Sequence, residues 1–497
     1  MKKIILFSLA LLCTLPLTLL AQKKRVSAPV GGHKMVFYIN GAKDETVLLA
    51  IHFRDKMLLR DSAANGGNGV FIFEGAGLYD EGMYTIVSEE KRPYLNFIID
   101  GSQDFDFFLD TVGDVRNFRV TGSPQNEEML LFQRKNVEAQ RKANLFQESY
   151  KQFEEEQNED SVAFYRERLQ DLNTEMENFI TDFINKNPDY LFSKLQKSYR
   201  QITVPDPPVK EDGTIDSMFQ SIYYREHYWD NFDLADRRFI NLPSYETKVN
   251  DYFTRVLGYQ EVDTINKYMD MVLNLAYRDS LMYRFLIEWF SGHWQGTKAI
   301  GHDAIFVHLI KENMMKGKCT WMDDDLLERY NKRARKLEPL LIRQKSVELV
   351  IPDTNGTSGI WYSSYKMPKK YVILWFYDLN CHTCKAESEK LRQLYDSLET
   401  IGERNFDVYA INTNNADLEA WKKYVREKEY PWVNVGGLNA NVDYMEAYNI
   451  YEFGTPQMYI LNEKREIILN KNISKSDILD FLKQYEKIEV YRASRKQ

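Results

Sequence analysis

Short apolar runs separated by turn residues fill residues 30–122. They are rich in β-branched and aromatic side chains, which is typical of strands. The runs are Met35–Ile39, Val47–Ile51, Gly69–Phe73, Met83–Val87, Tyr94–Ile99 and Phe105–Leu109. Spacings of roughly eight to twelve residues between such runs are typical of β-sandwiches. Residues 30–122 are therefore predicted to be an all-β, sandwich-like domain.

Residues 123–340 have a helical pattern. Ser123-Pro124 is a helix start signal, and the segment up to Asn187-Pro188 is dense in Glu, Gln, Lys and Arg with few apolar residues. This predicts long, largely exposed helices with a narrow buried stripe. After the proline breaks at 187–188 and 204–208, the helices are rich in aromatic residues. These aromatics are predicted to form a core, with a partner groove as the alternative.

Residues 341–486 alternate between strand and helix patterns. Tyr371–Tyr377 is a continuous apolar run, as expected of a central strand that is buried on both faces. Further strands are predicted at 406–411, 457–461 and 466–469, helices at 382–401, 416–428 and 474–485, and a loose charged tail from residue 488. The fold class predicted for the chain is multidomain α+β: a β-sandwich-like domain, a helical middle region and a C-terminal α/β domain at 345–486.

The first residues have the pattern of a targeting segment. Lys2 and Lys3 precede an apolar run at 4–20, and Ala21 offers a small residue for cleavage. We predict a secretory signal peptide at residues 1–21, with an uncleaved anchor as the alternative. The protein is then expected in the periplasm or at the cell envelope. No later stretch of the sequence is long and apolar enough to span a bilayer.

Charge and histidine content argue against two kinds of partner. The formal net charge of the 497-residue chain is −8, whereas nucleic-acid binding needs a clustered basic face. His293, His302, Asp303 and His308 are close in sequence, but His302 and His308 are six residues apart and would point to different faces of a helix. Since a metal needs three or four convergent ligands, no metal site is predicted.

Cys381 and Cys384 have C-x-x-C spacing at the junction of a predicted strand and helix. The first sulfur would lie near free N–H groups and the positive end of the helix dipole, so that thiolate is favoured. A protonated His382 would stabilise that thiolate and make the disulfide more oxidising. The alternatives are a structural disulfide, or half of a zinc site completed by Cys319 and His382. Cys319 is otherwise expected to be a buried free thiol.

A second element is Gly454-Thr455-Pro456, about 70 residues after the cysteine pair and directly before a predicted strand. A proline at the start of a strand removes an N–H donor where the ladder does not need one. The bond between Thr455 and Pro456 is a candidate for the cis form, which is essentially confined to proline.

These residues resemble a known family. The run Trp375–Lys385 resembles the active-site strand and helix of thioredoxin-like proteins, and Phe453–Ile460 resembles their cis-proline loop. Residues 351–356 look like the leading segment of the secreted TlpA-like branch. The resemblance covers residues 345–486, whereas the β and helical segments look like companion domains without a transferable role.

The resemblance implies a role for each matching residue. Cys381 would be the attacking thiol and Cys384 the resolving thiol, while Thr455 and Pro456 would dock the partner's backbone. His382 and Thr383, between the cysteines, would modulate the potential, since this dipeptide differs from the Gly-Pro of thioredoxin.

One position departs from the pattern. Trp375 stands where thioredoxin has a buried acidic residue, so the usual carboxylate proton acceptor for Cys384 is missing at that position. Asp378 is closer in sequence to the cysteines.

The function implied is that of an extracytoplasmic thiol–disulfide oxidoreductase. Its partners would be protein thiols or disulfides and a redox-supplying protein, and its only redox group the Cys381–Cys384 disulfide, without a further cofactor. One alternative is a non-catalytic envelope scaffold. The other is a thiol peroxidase, which would need a Thr-x-x-Cys site where Asp378 stands. Neither an oligomeric state nor a direction of electron flow follows from the residues.

Overall fold

A computed structural model describes residues 31–111, 113–209, 212–258, 260–353 and 360–494. The chain divides into two compact units, residues 1–256 and 257–497. The signal peptide predicted at residues 1–21 lies outside the described residues. The predicted domain limits stay predictions, and the helical segment 123–340 is shared between the two units.

The first unit begins with strands that form two facing sheets. In chain order they are β1 (Gly32–Asn40), β2 (Thr46–Phe53), β3 (Lys56–Ala64), β4 (Val70–Ala76), β5 (Gly82–Val87), β6 (Pro93–Ile99), β7 (Asp104–Asp110) and β8 (Arg119–Thr121). One sheet has the order β4-β1-β7-β8, with β1 and β7 parallel, and the other the antiparallel order β3-β2-β5-β6. Both sheets contribute side chains to one core, which includes Phe37, Leu49 and Phe97. This confirms the predicted sandwich.

The sequence pattern missed strand β3. Met57, Leu58 and Leu59 lie in this strand with 46%, 40% and 63% of their surface exposed. β3 is at the edge of its sheet, so backbone pairing with β2 rather than side-chain burial holds it in place. An edge strand of this kind lacks the alternating apolar pattern by which strands are recognised.

Helices complete the first unit. They are α1 (Pro124–Glu155), α2 (Glu159–Lys186), α3 (Leu191–Ser198), α4 (Phe219–His227) and α5 (Tyr245–Asp251), with a 3-10 turn at Arg237–Asn241 and a π-helical turn at Tyr252–Val256. In α1 and α2 a few side chains are buried, among them Leu130, Phe132 and Phe183, and most are not. The prediction of long, largely exposed helices after Ser123-Pro124 is confirmed.

The side chain of Asn126 ties α1 to β6. It is buried, its Oδ1 accepts the Ile98 N–H at 2.8 Å, and its Nδ2 donates to the Ile98 carbonyl at 2.7 Å. Nδ2 also lies 2.8 Å from Ser123 Oγ. The side-chain amide of Asn126 therefore provides hydrogen-bond partners for the N–H and carbonyl of Ile98, as a neighbouring strand would.

The second unit begins with helices that have an aromatic core. They are α6 (Val262–Ala276), α7 (Ser280–Gln295), α8 (Asp303–Leu309) and α9 (Asp324–Leu337), with a π-helical turn at Ile310–Met314 and a 3-10 turn at Glu338–Leu340. Phe290, Trp294 and Phe306 are buried, in agreement with their interpretation as core residues. Within the described ranges, no helix combines the length and apolarity that a membrane crossing needs.

An α/β domain follows. Its strands are β9 (Val350–Pro352), β10 (Trp361–Ser363), β11 (Tyr371–Tyr377), β12 (Phe406–Asn412), β13 (Val433–Val435), β14 (Gln457–Leu461) and β15 (Ile467–Leu469). Its helices are α10 (His382–Thr400), α11 (Leu418–Lys428), α12 (Tyr444–Ala447), α13 (Ile450–Phe453) and α14 (Ile478–Ser494), with 3-10 turns at Ser364–Lys366 and Lys475–Asp477.

Strand β11 lies at the centre of the main sheet, whose order is β13-β12-β11-β14-β15. β11 is parallel to β12 and antiparallel to β14. Ile373 and Trp375 face a core that also contains residues of α10, whereas Val372 and Leu374 face a second core on the opposite side. The continuous apolar run is thus explained by burial on both faces.

The C-terminal tail differs from the prediction. α14 continues to Ser494 instead of ending near residue 485. Arg492 in its last turn lies 3.2 Å from a carboxylate oxygen of Glu489 and 3.0 Å from one of Glu261. Some of the charges that suggested a loose tail thus form ion pairs at the end of this helix.

Replacing Asn126 by Ala should destabilise the first unit by about 2–3 kcal/mol, because the Ile98 N–H and carbonyl would lose their partners in a buried place. Denaturant unfolding of the full chain measures this change. Asn144→Ala, at an exposed position of the same helix, is the matched control and should shift stability by less than about 0.5 kcal/mol. Equal effects of the two substitutions would contradict the assigned role.

Candidate redox-active site

Cys381 connects the end of β11 to the first turn of α10. Its backbone is extended, with φ −84° and ψ 112°, and its N–H donates to the Asp378 carbonyl at 3.1 Å. Its Sγ accepts the N–H of Cys384 at 3.1 Å. The sulfur thus caps the helix in the place usually taken by a side-chain oxygen. Negative charge on this sulfur is favoured by that amide and by the helix dipole.

Cys381 and Cys384 form a disulfide, with their Cα atoms 5.2 Å apart. Cys384 is fully buried, whereas Cys381 is partly exposed. His382 and Thr383 between them are exposed. A sulfur from another molecule can therefore reach Cys381 more readily than Cys384.

Asp378 shapes the turn that presents Cys381. Its Oδ1 accepts the N–H of Asn380 at 2.7 Å and the Nδ2 group of Asn414 at 3.2 Å. Its backbone carbonyl accepts the Cys381 N–H. The Asp378 carboxylate is thus engaged by the backbone of the loop and by Asn414, in the turn that follows β12.

The second predicted element lies directly beside the cysteine pair. The bond between Thr455 and Pro456 is cis, and the Thr455 carbonyl oxygen is 3.9 Å from Cys381 Sγ. The side chain of Asn472 also contacts this loop, since its Nδ2 group donates a hydrogen bond to the Pro456 carbonyl at 2.6 Å. The structure therefore brings together Cys381, Cys384, Thr455 and Pro456.

Trp375 occupies the strand position at which thioredoxin has a buried acidic residue. Its indole is 1% exposed and donates from Nε1 to Ser388 Oγ at 2.9 Å. Trp375 and Cys384 belong to the same core cluster. The ring cannot accept a proton there, in line with the expectation from the sequence.

This core also contains a buried cation, Lys475, which the sequence analysis did not identify. Its Nζ is 4.2 Å from the centroid of the Trp375 ring, 3.9 Å from Met458 Sδ and 3.7 Å from Glu387 Oε2. The side chain is 3% exposed. Burial lowers the pKa of Lys475 to about 8, against the opposing effect of the Glu387 carboxylate.

Glu387 completes this arrangement from α10. The hydrogen bond from Lys390, at 2.8 Å, and the charge of Lys475 hold the pKa of Glu387 below its ordinary value. A lysine in a short turn before a C-terminal helix is normally solvated, so the pattern around Lys475 carries no sign of burial. The tryptophan at position 375 is the one indirect signal, because its ring can stack on a cation.

The residues considered as metal ligands in the sequence, His293, His302, Asp303 and His308, do not form a common site. His308 Nε2 lies 2.9 Å from Asp270, His302 packs against Trp294, and Asp303 binds Lys471 Nζ at 2.6 Å. Among the described residues there is no group of three or more His, Cys, Asp or Glu side chains that could hold a metal ion.

Cys319 is a buried thiol. It is 2% exposed, and burial raises its pKa to about 11. A thiol of this kind is unreactive at neutral pH.

Lys475→Met should stabilise the second unit by about 2–3 kcal/mol at pH 7. The pKa of Lys475 falls from 10.5 to about 8 on folding, so between these values the unfolded chain holds a proton that the folded chain does not. Wild-type stability should therefore rise with pH across this window, and its deficit against the variant should shrink. Denaturant unfolding from about pH 7 to pH 10.5 measures this difference, with exposed Lys483→Met as the control. A pH-independent difference would contradict the assignment.

Comparisons with known proteins agree with this geometry. A family model described as the AhpC/TSA family matches residues 342–469, which contain both cysteines and the cis-proline loop. A model described as a domain of unknown function (DUF5106) matches residues 214–337. A search of curated proteins found no match.

Solved structures cover parts of the chain. A domain of a possible thiol-disulfide isomerase from Cytophaga hutchinsonii is 34% identical, covering 31% of this chain and 98% of that one, with a TM-score of 0.27. A thioredoxin-like protein from Bacteroides caccae is 17% identical, covering 57% of this chain and 98% of that one, with a TM-score of 0.43. The thioredoxin domain of a thiol-disulfide oxidoreductase from Bacteroides vulgatus is 20% identical, covering 29% and 96%, with a TM-score of 0.25.

The family match includes every residue assigned to the cysteine site from the sequence. Through residues 342–469, the chain therefore belongs to the thioredoxin-like proteins of the AhpC/TSA family.

Proposed function

We propose that this protein is a thiol–disulfide oxidoreductase that exchanges disulfides with partner proteins outside the cytoplasm. The observation that carries the proposal is the position of Cys381: a partly exposed sulfur that caps α10 beside the Thr455 carbonyl. Cys384 supports it as a buried second thiol within disulfide reach.

The first step is attack by the Cys381 thiolate on a partner disulfide. A new S–S bond forms between Cys381 and one partner sulfur, while the other partner sulfur leaves as a thiolate and takes a proton from solvent. The N–H of Cys384 and the positive end of α10 stabilise the attacking thiolate.

In the second step, Cys384 loses its proton and attacks Cys381. The Cys381–Cys384 disulfide forms, and the partner's remaining sulfur leaves as a thiolate. Two electrons have then passed from the pair to the partner, and a redox-supplying partner must return two electrons before the next cycle. The same steps run in reverse when that partner is an oxidant.

Thr455 and Pro456 are assigned to docking. Both are partly exposed, and the Thr455 carbonyl is directed to the sulfur at which the mixed disulfide forms. The backbone of this loop can bind an extended partner segment by main-chain hydrogen bonds, as at an exposed strand edge.

The place of action is proposed from the sequence. Residues 1–21 have the charge, apolar core and small residue of a secretory signal, and disulfide exchange is suited to an oxidising compartment. We therefore propose the periplasm or the cell envelope as the location of the protein.

Two alternatives lead to different measurements. A thiol peroxidase would consume peroxide with Cys381 alone, although Asp378 stands where such a site needs a threonine hydroxyl. A scaffold protein would keep its function when both cysteines are replaced. A peroxide-consumption assay and the double serine variant separate these alternatives from disulfide exchange.

Cys381→Ser should lower insulin disulfide reduction to less than about 1% of the wild-type rate, because the nucleophile is lost. Cys384→Ser should instead accumulate mixed disulfides with the substrate, since the resolving thiol is absent. Non-reducing gel electrophoresis and a turbidity assay measure the two effects. Cys319→Ser, which changes a buried thiol outside the site, should keep the wild-type rate; an active Cys381→Ser variant would exclude the proposed role.

His382→Gln should make the pair more reducing by about 30 mV, because a cation near the Cys381 thiolate is lost and the reduced form is less stabilised. His382 is exposed beside Cys381, so the substitution removes no buried contact. Equilibration with glutathione buffers measures both potentials. An unchanged potential in the variant would show that His382 does not act on the Cys381 thiolate.

A further inference from the structure

Helix α9 lines a cavity that no step of the proposed reaction uses. The cavity has a volume of about 500 Å³, and four of its lining side chains are Arg329, Lys332, Arg333 and Lys336. These residues are spaced at positions i, i+3, i+4 and i+7, so they share one face of the helix. We name this cavity the α9 groove.

Two cations of the α9 groove are already paired. Arg333 lies 3.3 Å from Glu452, and Lys336 lies 3.0 Å from Glu446. Arg329 and Lys332 are exposed and form no ion pair within the part of the chain that the structure describes. The groove therefore presents uncompensated positive charge in a chain whose formal net charge is −8.

The helix itself does not require these two cations. The acidic residues at the start of α9 and Arg335 and Lys336 at its end match the helix dipole. Arg329 and Lys332 lie in the middle of the helix, where the dipole has little effect. The helix dipole therefore does not account for their charge.

The groove borders the cis-proline loop. Glu452, in α13, is part of its lining and precedes Thr455 by three residues. Three residues span at most about 11 Å of extended chain. Since the Thr455 carbonyl is 3.9 Å from Cys381 Sγ, the groove lies within reach of a peptide bound at the cysteine pair.

Two aromatic side chains flank Glu452 on the same segment. Tyr451 is 66% exposed and Phe453 is 38% exposed. Exposed aromatics beside a charged groove are typical of surfaces that bind other polypeptides. Phe453 stands between Glu452 of the groove and Pro456 in the sequence.

We propose that the α9 groove binds an acidic segment of the protein whose disulfide reacts at Cys381. The proposal rests on the proposed function and adds the substrate class: polypeptides with Asp or Glu a few residues from the reacting cysteine. It also gives a role to part of the region that matches a domain of unknown function. Charge complementarity of this kind mainly raises the association rate and the specificity.

The test uses two synthetic peptides of equal length with one internal disulfide, one carrying four Glu and the other four Gln beside a cysteine. The full-length protein should reduce the acidic peptide on the order of tenfold faster in kcat/KM at low ionic strength, and added salt should reduce this preference. Separate measurement of kcat and KM should place the effect in KM.

The variants are Arg329→Glu with Lys332→Glu, and the neutral pair Arg329→Gln with Lys332→Gln. Both should lose the preference for the acidic peptide while reducing uncharged 2-hydroxyethyl disulfide at the wild-type rate. Lys483→Glu with Lys487→Glu is the matched control, because it changes the charge equally at exposed positions of α14 that do not line the groove. It should keep the preference.

The outcomes separate the two proposals. If the wild-type protein reduces both peptides equally, or if the control pair loses the preference as the groove variants do, the α9 groove is not a docking site. If the wild-type protein reduces none of the three disulfides, the proposed function itself fails.

Discussion

The hydrogen bond from the Cys384 amide to the Cys381 sulfur is the interaction on which the site depends. It exists because a buried strand, β11, ends where a helix begins, and a helix start has free N–H groups to offer. β14 pairs with β11 so that Gln457 stands opposite Phe376. This register places the residues before β14, Thr455 and Pro456, against the residues that follow β11.

The core behind the cysteines contains an unusual combination. A carboxylate is absent from the central strand at position 375, and an indole and a buried ammonium occupy this space instead. Burying Lys475 has a cost in stability, because its charge is removed from water and the Glu387 carboxylate is 3.7 Å away. The Trp375 ring and Glu387 recover part of that cost. The result is positive charge in the cluster that contains Cys384.

The helical part of the second unit supports the cis-proline loop from outside the sheet. Asp303 of α8 binds Asn470 at 2.8 Å and Lys471 at 2.6 Å, and the next residue, Asn472, holds the Pro456 carbonyl. Arg333 of α9 pairs with Glu452 on the other side of the loop. Functional sites are often built where a second element meets a common fold, since the fold alone does not determine a partner.

The sequence by itself determined the elements that have strong local signals. The apolar run at 371–377, the C-x-x-C pair and Thr455-Pro456 were recognisable because burial on two faces, helix capping and proline chemistry act on neighbouring residues. Edge strand β3 and the end of α14 were not recognisable, because their side chains are largely exposed and form no apolar pattern. β3 pairs with β2 through its backbone, and the end of α14 forms ion pairs.

Only the tertiary structure decided what lies around the cysteines. The burial of Lys475 on Trp375 joins residues 100 positions apart, and the α9 groove joins α9 to α13. Both depend on which elements pack together, and a local pattern carries no information about its distant neighbours. A lysine has the same sequence signal in water and in a core, so its environment follows from the packing alone.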